Sequence, residues 1–301
     1  MENLSPIALF AYNRADHISK CIESLQKNPL AIKTELYIFS DGPKNIKDTA
    51  KVQDVRSILN SATGFKQVHI LISEENKGLA NSIIQGVTMV LDKHEEIIVL
   101  EDDLSVSTDF IDFMNSALEK YKNESKVFSV SAYCAPIKVS NYEKDTFFFR
   151  RINSWGWATW KDRWKSVDWE IKDFNEFIIS SQKRKAFNSG GMDLSMMLLK
   201  NRRGIINSWA IRFNYACFKQ NKLNLYPLKS KVTNSGIDNS GTNTRKSKKF
   251  DTVVNHGKVS FDAPIEENKL LSKIYMKYLS PSIIRRIINW WKIKSYISRN
   301  K

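Results

Sequence analysis

Glu101-Asp102-Asp103 is the stretch of this chain best placed to do chemistry. The three carboxylates follow Ile97-Ile98-Val99-Leu100, an apolar run of the length and kind that forms a strand buried on both faces. An apolar core does not accept unpaired charge, so the carboxylates must leave it at the strand's end. In open α/β sheets ligands bind just beyond the carboxyl ends of the strands. Carboxylates gathered there suit a hard divalent cation and, through it, a diphosphate; the plainer alternative is an acidic loop that is simply solvated. Asp41, in the turn signal Ser40-Asp41-Gly42-Pro43 after Leu36-Tyr37-Ile38-Phe39, is a second carboxylate at such an edge. Asp193, in Gly190-Gly191-Met192-Asp193, opens an apolar helix, a position where aspartate commonly serves as a cap.

Positioning these groups requires a sheet. Ile7-Ala8-Leu9-Phe10-Ala11-Tyr12 reads as a buried first strand, followed by an amphipathic helix with Ile18, Cys21, Ile22 and Leu25 in phase. The strand ending at Phe39, a helix carrying Val52, Val55, Ile58 and Leu59, and a strand Val68–Ile72 continue the alternation. This βαβαβ order predicts an α/β protein with a mostly parallel sheet flanked by helices. Asn76-Lys77-Gly78-Leu79 then opens a further helix, where Gly78 either exposes backbone N–H groups to an anion or makes a plain turn. Helix Phe110–Tyr121 and strand 127–132 come after the acidic run.

Composition sets limits. The chain has 301 residues, 42% hydrophobic, a length that fits one large α/β domain with an appendage or two smaller domains. Cys21, Cys134 and Cys217 are widely spaced and form no metal-ligand pattern, which points to a reducing, cytoplasmic setting. Residues 1–6 lack the basic and apolar regions of a signal peptide, and no apolar run approaches the roughly 20 residues that cross a bilayer. A net charge of +15 favours anionic partners.

Phe10-Ala11-Tyr12-Asn13-Arg14, Ser40-Asp41-Gly42, Asn76-Lys77-Gly78-Leu79 and Glu101-Asp102-Asp103 stand in an order and spacing that resembles the nucleotide-sugar glycosyltransferases of the GT-A fold. More closely, the chain is similar to bacterial polysaccharide and lipopolysaccharide glycosyltransferases related to N-acetylglucosaminyltransferase I, over about residues 5 to 245. The resemblance implies a Rossmann-like GT-A sheet, a nucleoside-diphosphate sugar donor, a glycan acceptor and Mn2+ or Mg2+ held by Asp103. It places Phe10, Tyr12, Arg14, Asp41, Lys77, Gly78, Glu101 and Asp102 at the donor, with Asp41 toward the nucleotide base and Arg14 near the base or diphosphate. The block Trp155-Gly156-Trp157-Ala158-Thr159-Trp160-Lys161-Asp162-Arg163-Trp164 corresponds to a loop that covers the donor sugar. Trp155 and Trp157 are therefore the candidates to stack on it, while Trp160 and Trp164 read as core. Asp193, preceding a helix that ends near Arg202-Arg203-Gly204, maps onto the family's general base, the group an inverting transfer needs to take the acceptor hydroxyl's proton. Relatives carry Gly-Thr-His where this chain has Gly241-Thr242-Asn243, so a histidine metal ligand is not expected here.

The last segment changes character. From Asn268 to Lys301 there are nine basic residues and no acidic one. Leu270, Leu271, Ile274, Tyr275 and Tyr278, then Ile283, Ile284, Ile287, Ile288, Trp290 and Trp291, pattern as two amphipathic helices. Such a segment either lies on an anionic membrane or docks on the domain. The expected division is a GT-A domain over 1–262, with a nucleotide-binding half (1–135) and an acceptor half (136–262), and a basic tail over 263–301. Membrane docking would place the protein at the inner face of the cytoplasmic membrane, beside lipid-linked glycan acceptors. Two other classes compete. A sugar-nucleotide-forming nucleotidyltransferase should carry a glycine-rich, arginine-bearing loop after the first strand, which residues 10–14 lack. A nucleic-acid binder should spread its basic residues over one face, and no recognition motif is visible, so no nucleic acid partner is expected.

Overall fold

The structure, a computed structural model, describes residues 4–236 and 248–300. Strand and helix alternate through β1 (Ile7–Ala11), α1 (Ala15–Gln26), β2 (Glu35–Ser40), α2 (Thr49–Asn60), β3 (Gln67–Ile72), α3 (Leu79–Lys93) and β4 (Glu96–Glu101). There follow β5 (Leu104–Val106), α4 (Phe110–Tyr121), β6 (Val127–Ser131), β7 (Thr146–Phe149), β8 (Trp157–Trp160) and α5 (Lys161–Lys165). Helices α6 (Phe174–Ile179), α7 (Ser181–Phe187), α8 (Leu194–Arg202) and α9 (Trp209–Lys219) precede β9 (Leu223–Pro227) and β10 (Val232–Asn234). The described chain ends with α10 (Lys269–Leu279) and α11 (Ile283–Arg299).

Period-two alternation sends side chains to both faces of the sheet. Ile7, Leu9 and Ala11 of β1 and Ile98 and Leu100 of β4 enter the core on one face. Ala8, Phe10, Ile97 and Val99 enter the core on the other, where Ile83, Val87 and Val90 of α3 cover them. Helix α3 crosses close to β1: a Cβ at Gly86 would stand 2.8 Å from the Phe10 ring. A third, smaller core gathers α6 to α9 around Phe177, Phe187, Leu198 and Tyr215.

The main sheet has the order β3-β2-β1-β4-β8-β6-β9-β7. β1, β2, β3 and β4 run parallel, and β6 and β9 are parallel to each other. β8 is antiparallel to both β4 and β6, and β7 is antiparallel to β9, so the sheet is mixed. Helices lie on its faces, which makes this the α/β GT-A-like fold. A separate ribbon pairs β10 with β5, directly after the acidic run. Leu271 and Tyr275 of α10 are buried in the first core, Tyr275 completely, whereas Ile293 is the buried residue of α11. Residues 241–243, where a histidine ligand was not expected, lie outside the described residues.

Candidate active site

Register brings the first carboxylates together. Phe10 pairs with Glu101 across β1 and β4, and Ala11 pairs with Ser40 across β1 and β2. The backbone N–H of Asp102 then donates to Phe10 O (3.0 Å) and that of Asp41 to Ala11 O (3.0 Å). Three strand ends thus open into one cleft of about 320 Å³, lined by Phe10, Tyr12, Arg14, Asp41, Gly78, Glu101, Asp102 and Asp103. Phe10 stacks on Phe39 at 4.9 Å to form an aromatic wall. Lys77 sits at the rim with its side chain in solvent. Asn13 and Asn76, which stand in those motifs without being singled out, and Asn207, unmarked in the sequence, also line the cleft.

Asp41 is saturated. Its Oδ1 accepts from the backbone N–H of Gly42 (3.0 Å) and Lys77 (2.9 Å), and its Oδ2 from Gly78 N–H (3.0 Å) and Asn76 Nδ2 (3.2 Å). A carboxylate has about four lone-pair positions, and all are engaged. Asp41 therefore reaches a bound molecule only through the loop 76–78 that it holds; its carboxylate has no free position for a base, contrary to the sequence-based expectation of direct contact. Gly78 takes φ 73°, the left-handed region, to turn its N–H toward Asp41 at the head of α3. Tyr12 similarly holds the loop after β2, donating to Asp48 Oδ2 (3.0 Å) and accepting from Lys44 N–H (3.0 Å).

The acidic run meets a single cation. Arg14 Nη2 bridges Asp102 Oδ1 and Asp103 Oδ2, the latter at 3.1 Å. Burial raises the pKa of Asp102 to about 6, with Arg14 opposing it. Burial, then the charges of Asp103 and Asp102, raise Glu101 to about 8. Arg14 thus serves Asp102 and Asp103 together, one guanidinium to two carboxylates, while Glu101 has no ion pair of its own among the described residues. Asp103 Oδ1 is buried and accepts no hydrogen bond, a cost that a cation ligand would remove. The β5–β10 ribbon fixes this residue, since Ser235 donates to Asp103 O from both its N–H (2.9 Å) and Oγ (3.0 Å). Gly236 then passes so close that any Cβ there would overlap the Asp103 carboxylate.

A second cleft, of about 290 Å³, borders the same sheet edge, because Tyr133 follows β6 and Trp155 precedes the antiparallel β8. Asp193 lines it together with Arg151, Asn153, Met197 and Leu279. Asp193 stands in the N-cap position of α8 yet makes no side-chain cap. Instead Arg151 grips it in a fork, Nη1 to Oδ1 at 2.8 Å and Nη2 to Oδ2 at 3.1 Å. The turn before it is tied to α10, as Met192 N–H donates to Ser280 Oγ (3.2 Å).

The two tryptophan candidates separate. Trp155 lines the second cleft, edge-on to Tyr133 at 4.5 Å. Trp157 belongs to β8, is 1% exposed, and lies between Trp209 (4.7 Å) and Trp164 (5.8 Å). It cannot touch a sugar, which corrects that expectation: Gly156, at φ 64°, is the bend after which the chain enters the sheet. Trp160 and Trp164 are buried in the core as expected, Trp160 at the end of β8 and Trp164 in α5.

No curated protein matches this chain. Among solved structures, S. aureus TarS residues 1–349 superimposes with TM-score 0.43 at 10% identity, over 76% of this chain and 59% of that one. A longer S. aureus TarS gives TM-score 0.41 at 10% identity, over 76% and 36%. This chain thus spans less than two thirds of either. The family model for glycosyl transferase family 2 matches residues 7–189, the span that builds β1 to β8 and every lining residue of the first cleft except Asn207, and the chain accordingly belongs to that family.

Proposed function

We propose that this protein is a metal-dependent, inverting glycosyltransferase that moves a sugar from a nucleoside-diphosphate sugar to a hydroxyl of a glycan acceptor in cell-surface polysaccharide assembly. The observation that carries the reading is the Asp103 carboxylate, with one oxygen on Arg14 and the other buried and unpaired at the floor of a cleft walled by the Phe10 and Phe39 rings. Asp103 would hold Mn2+ or Mg2+, which when bound neutralises the diphosphate leaving group. Among the described residues no three His, Cys, Asp or Glu side chains gather where they could hold one ion; Asp103 is the protein ligand of this reading, with the donor phosphates supplying further oxygens.

The remaining chemistry falls to the chain itself. Residues 1–135 receive the donor: the 76–78 loop, held by Asp41, and Tyr12 with the 44–48 turn shape the nucleotide end, and Arg14 faces the phosphates. Residues 136–262 receive the acceptor, whose sugar rings meet the Trp155 ring, with Tyr133 of the first half beside it. Asp193 takes the proton from the attacking hydroxyl as its oxygen bonds to the anomeric carbon and the bond to the nucleoside diphosphate breaks on the opposite face. Arg151 aims Asp193, and each carboxylate oxygen keeps a lone pair for that proton. The three buried, unpaired cysteines support a reducing, cytoplasmic location.

A thermal-shift screen of nucleoside-diphosphate sugars, each with and without Mn2+, tests the reading. A shift requiring both sugar nucleotide and metal is expected for at least one donor. Stabilisation by none of them, or equal stabilisation in the presence of a chelator, would remove the metal-dependent donor site.

A further inference from the structure

We infer that the first half of α11 seats this protein on an anionic lipid bilayer, in an orientation fixed by the fold rather than through a loose tether. Ile283, Ile284, Ile287, Ile288, Trp290 and Trp291 are between 38% and 73% exposed. At 3.6 residues per turn they fall within an arc of about 160° on one side of the helix. The side chains that dock α11 on the domain, Ile293, Tyr296 and Ile297, lie outside that arc and pack against the α6–α9 core. The helix therefore has two apolar sides, one satisfied by the protein and one facing solvent.

Charge selects the occupant. Arg285, Lys292 and Arg299 border one side of the arc, Arg286 lies beyond the other, and Lys294 sits within it over the Trp290 ring at 5.1 Å. No acidic residue occurs from Asn268 onward. Aromatic and branched apolar groups edged by cations match a bilayer surface carrying anionic headgroups. A second copy of the chain would set these cations against their own counterparts. No helix among the described residues is long and apolar enough to cross a membrane, so contact is at the surface.

The patch is rigidly referenced to the second cleft. Leu279, the last residue of α10, lines that cleft, and the exposed face begins four positions later at Ile283. Ser280 between them is bonded to the turn carrying Asp193. Bilayer contact thus sets the Asp193 cleft beside the headgroups; that this serves a lipid-borne acceptor rests on the proposed function, whereas the docking itself does not.

Co-sedimentation of the full-length protein with phosphatidylcholine vesicles, with and without phosphatidylglycerol, tests the docking without any sugar donor. Wild type is expected to sediment with phosphatidylglycerol vesicles only, and less as salt rises. The variant Arg285→Gln/Arg286→Gln/Lys292→Gln should bind roughly fivefold more weakly per charge, on the order of 100-fold in all. Ile284→Ser/Ile287→Ser/Trp291→Ser should lose binding with an unchanged melting temperature, because all three side chains are exposed. No sedimentation of wild type with anionic vesicles would overturn the proposal, as would light scattering that shows a wild-type dimer abolished by the same Ile/Trp variant.

Discussion

At the scale of residues, the site is a set of carboxylates whose different partners assign them different work. Asp103 keeps one oxygen free of hydrogen bonds, so Asp103→Asn should abolish metal-dependent donor binding while the fold persists. Calorimetric titration with Mn2+ and donor checks this; unchanged affinity would dismiss Asp103 as the ligand. Asp41 has no oxygen to spare, and its removal leaves three backbone N–H groups without their acceptor, while Asn76 Nδ2 keeps Gly42 O. Asp41→Ala should cost about 1–3 kcal/mol of stability and weaken uridine and cytidine diphosphates alike, since what is lost is a loop and not a base contact. A loss confined to one base, measured by the same titration, would restore direct contact. Asp193 is held by Arg151 and not by its own helix. Asp193→Asn should leave donor affinity within a few-fold and lower turnover by roughly 10²–10⁴, with a product of inverted configuration. Comparable turnover, or a retained configuration, would end the general-base assignment.

At the scale of elements, β8 and α10 show how secondary structure decides which residues are available for function. Trp157→Phe should destabilise the sheet by about 1–3 kcal/mol, through poorer packing against Trp164 and Trp209, without altering donor affinity. Denaturation and titration on the same sample separate the two effects. The strands β1 to β4 were legible because each is a short apolar run closed by turn residues or charge, and their parallel order places the first cleft at their carboxyl ends. β8 was not, because Trp155-Gly156-Trp157 offers aromatic residues with no alternation, and only the pairing of Trp157 with Val99 and Ser131 shows that the chain has entered the sheet. Arg151 escaped notice for a related reason. Its partner lies 42 residues away, and a fork between distant side chains leaves no local period, although Arg150-Arg151, a few residues before the tryptophan block, was a visible concentration of charge. Two amphipathic helices were readable at the carboxyl end, but a hydrophobic face does not reveal what it faces. Tyr275, with no exposure, packs against Phe147, Phe149 and Tyr226, while Ile283 and Ile284 face solvent.

At the scale of the whole molecule, two clefts share one sheet edge; α10 flanks the second, and α11, which follows it after three residues, carries the apolar, cationic patch. A protein built this way gains on a membrane-borne acceptor only if both are used at once, because surface binding confines enzyme and acceptor to one plane and presents the Asp193 cleft to it. Binding confined to the surface should act on encounter rather than on the chemical step. The Arg285→Gln/Arg286→Gln/Lys292→Gln variant should therefore keep the wild-type kcat/KM on a short, water-soluble acceptor. On the same acceptor displayed on a lipid in phosphatidylglycerol vesicles, its kcat/KM should fall by roughly the factor lost in vesicle binding. Raising salt should reduce the wild type toward the variant in the vesicle assay while leaving the soluble assay nearly level. The pairing of assays isolates the cause: equal losses on both acceptors would mean that the substitutions disturb the cleft through α10, and no loss on vesicles would mean that the patch, whatever it binds, does not deliver the acceptor.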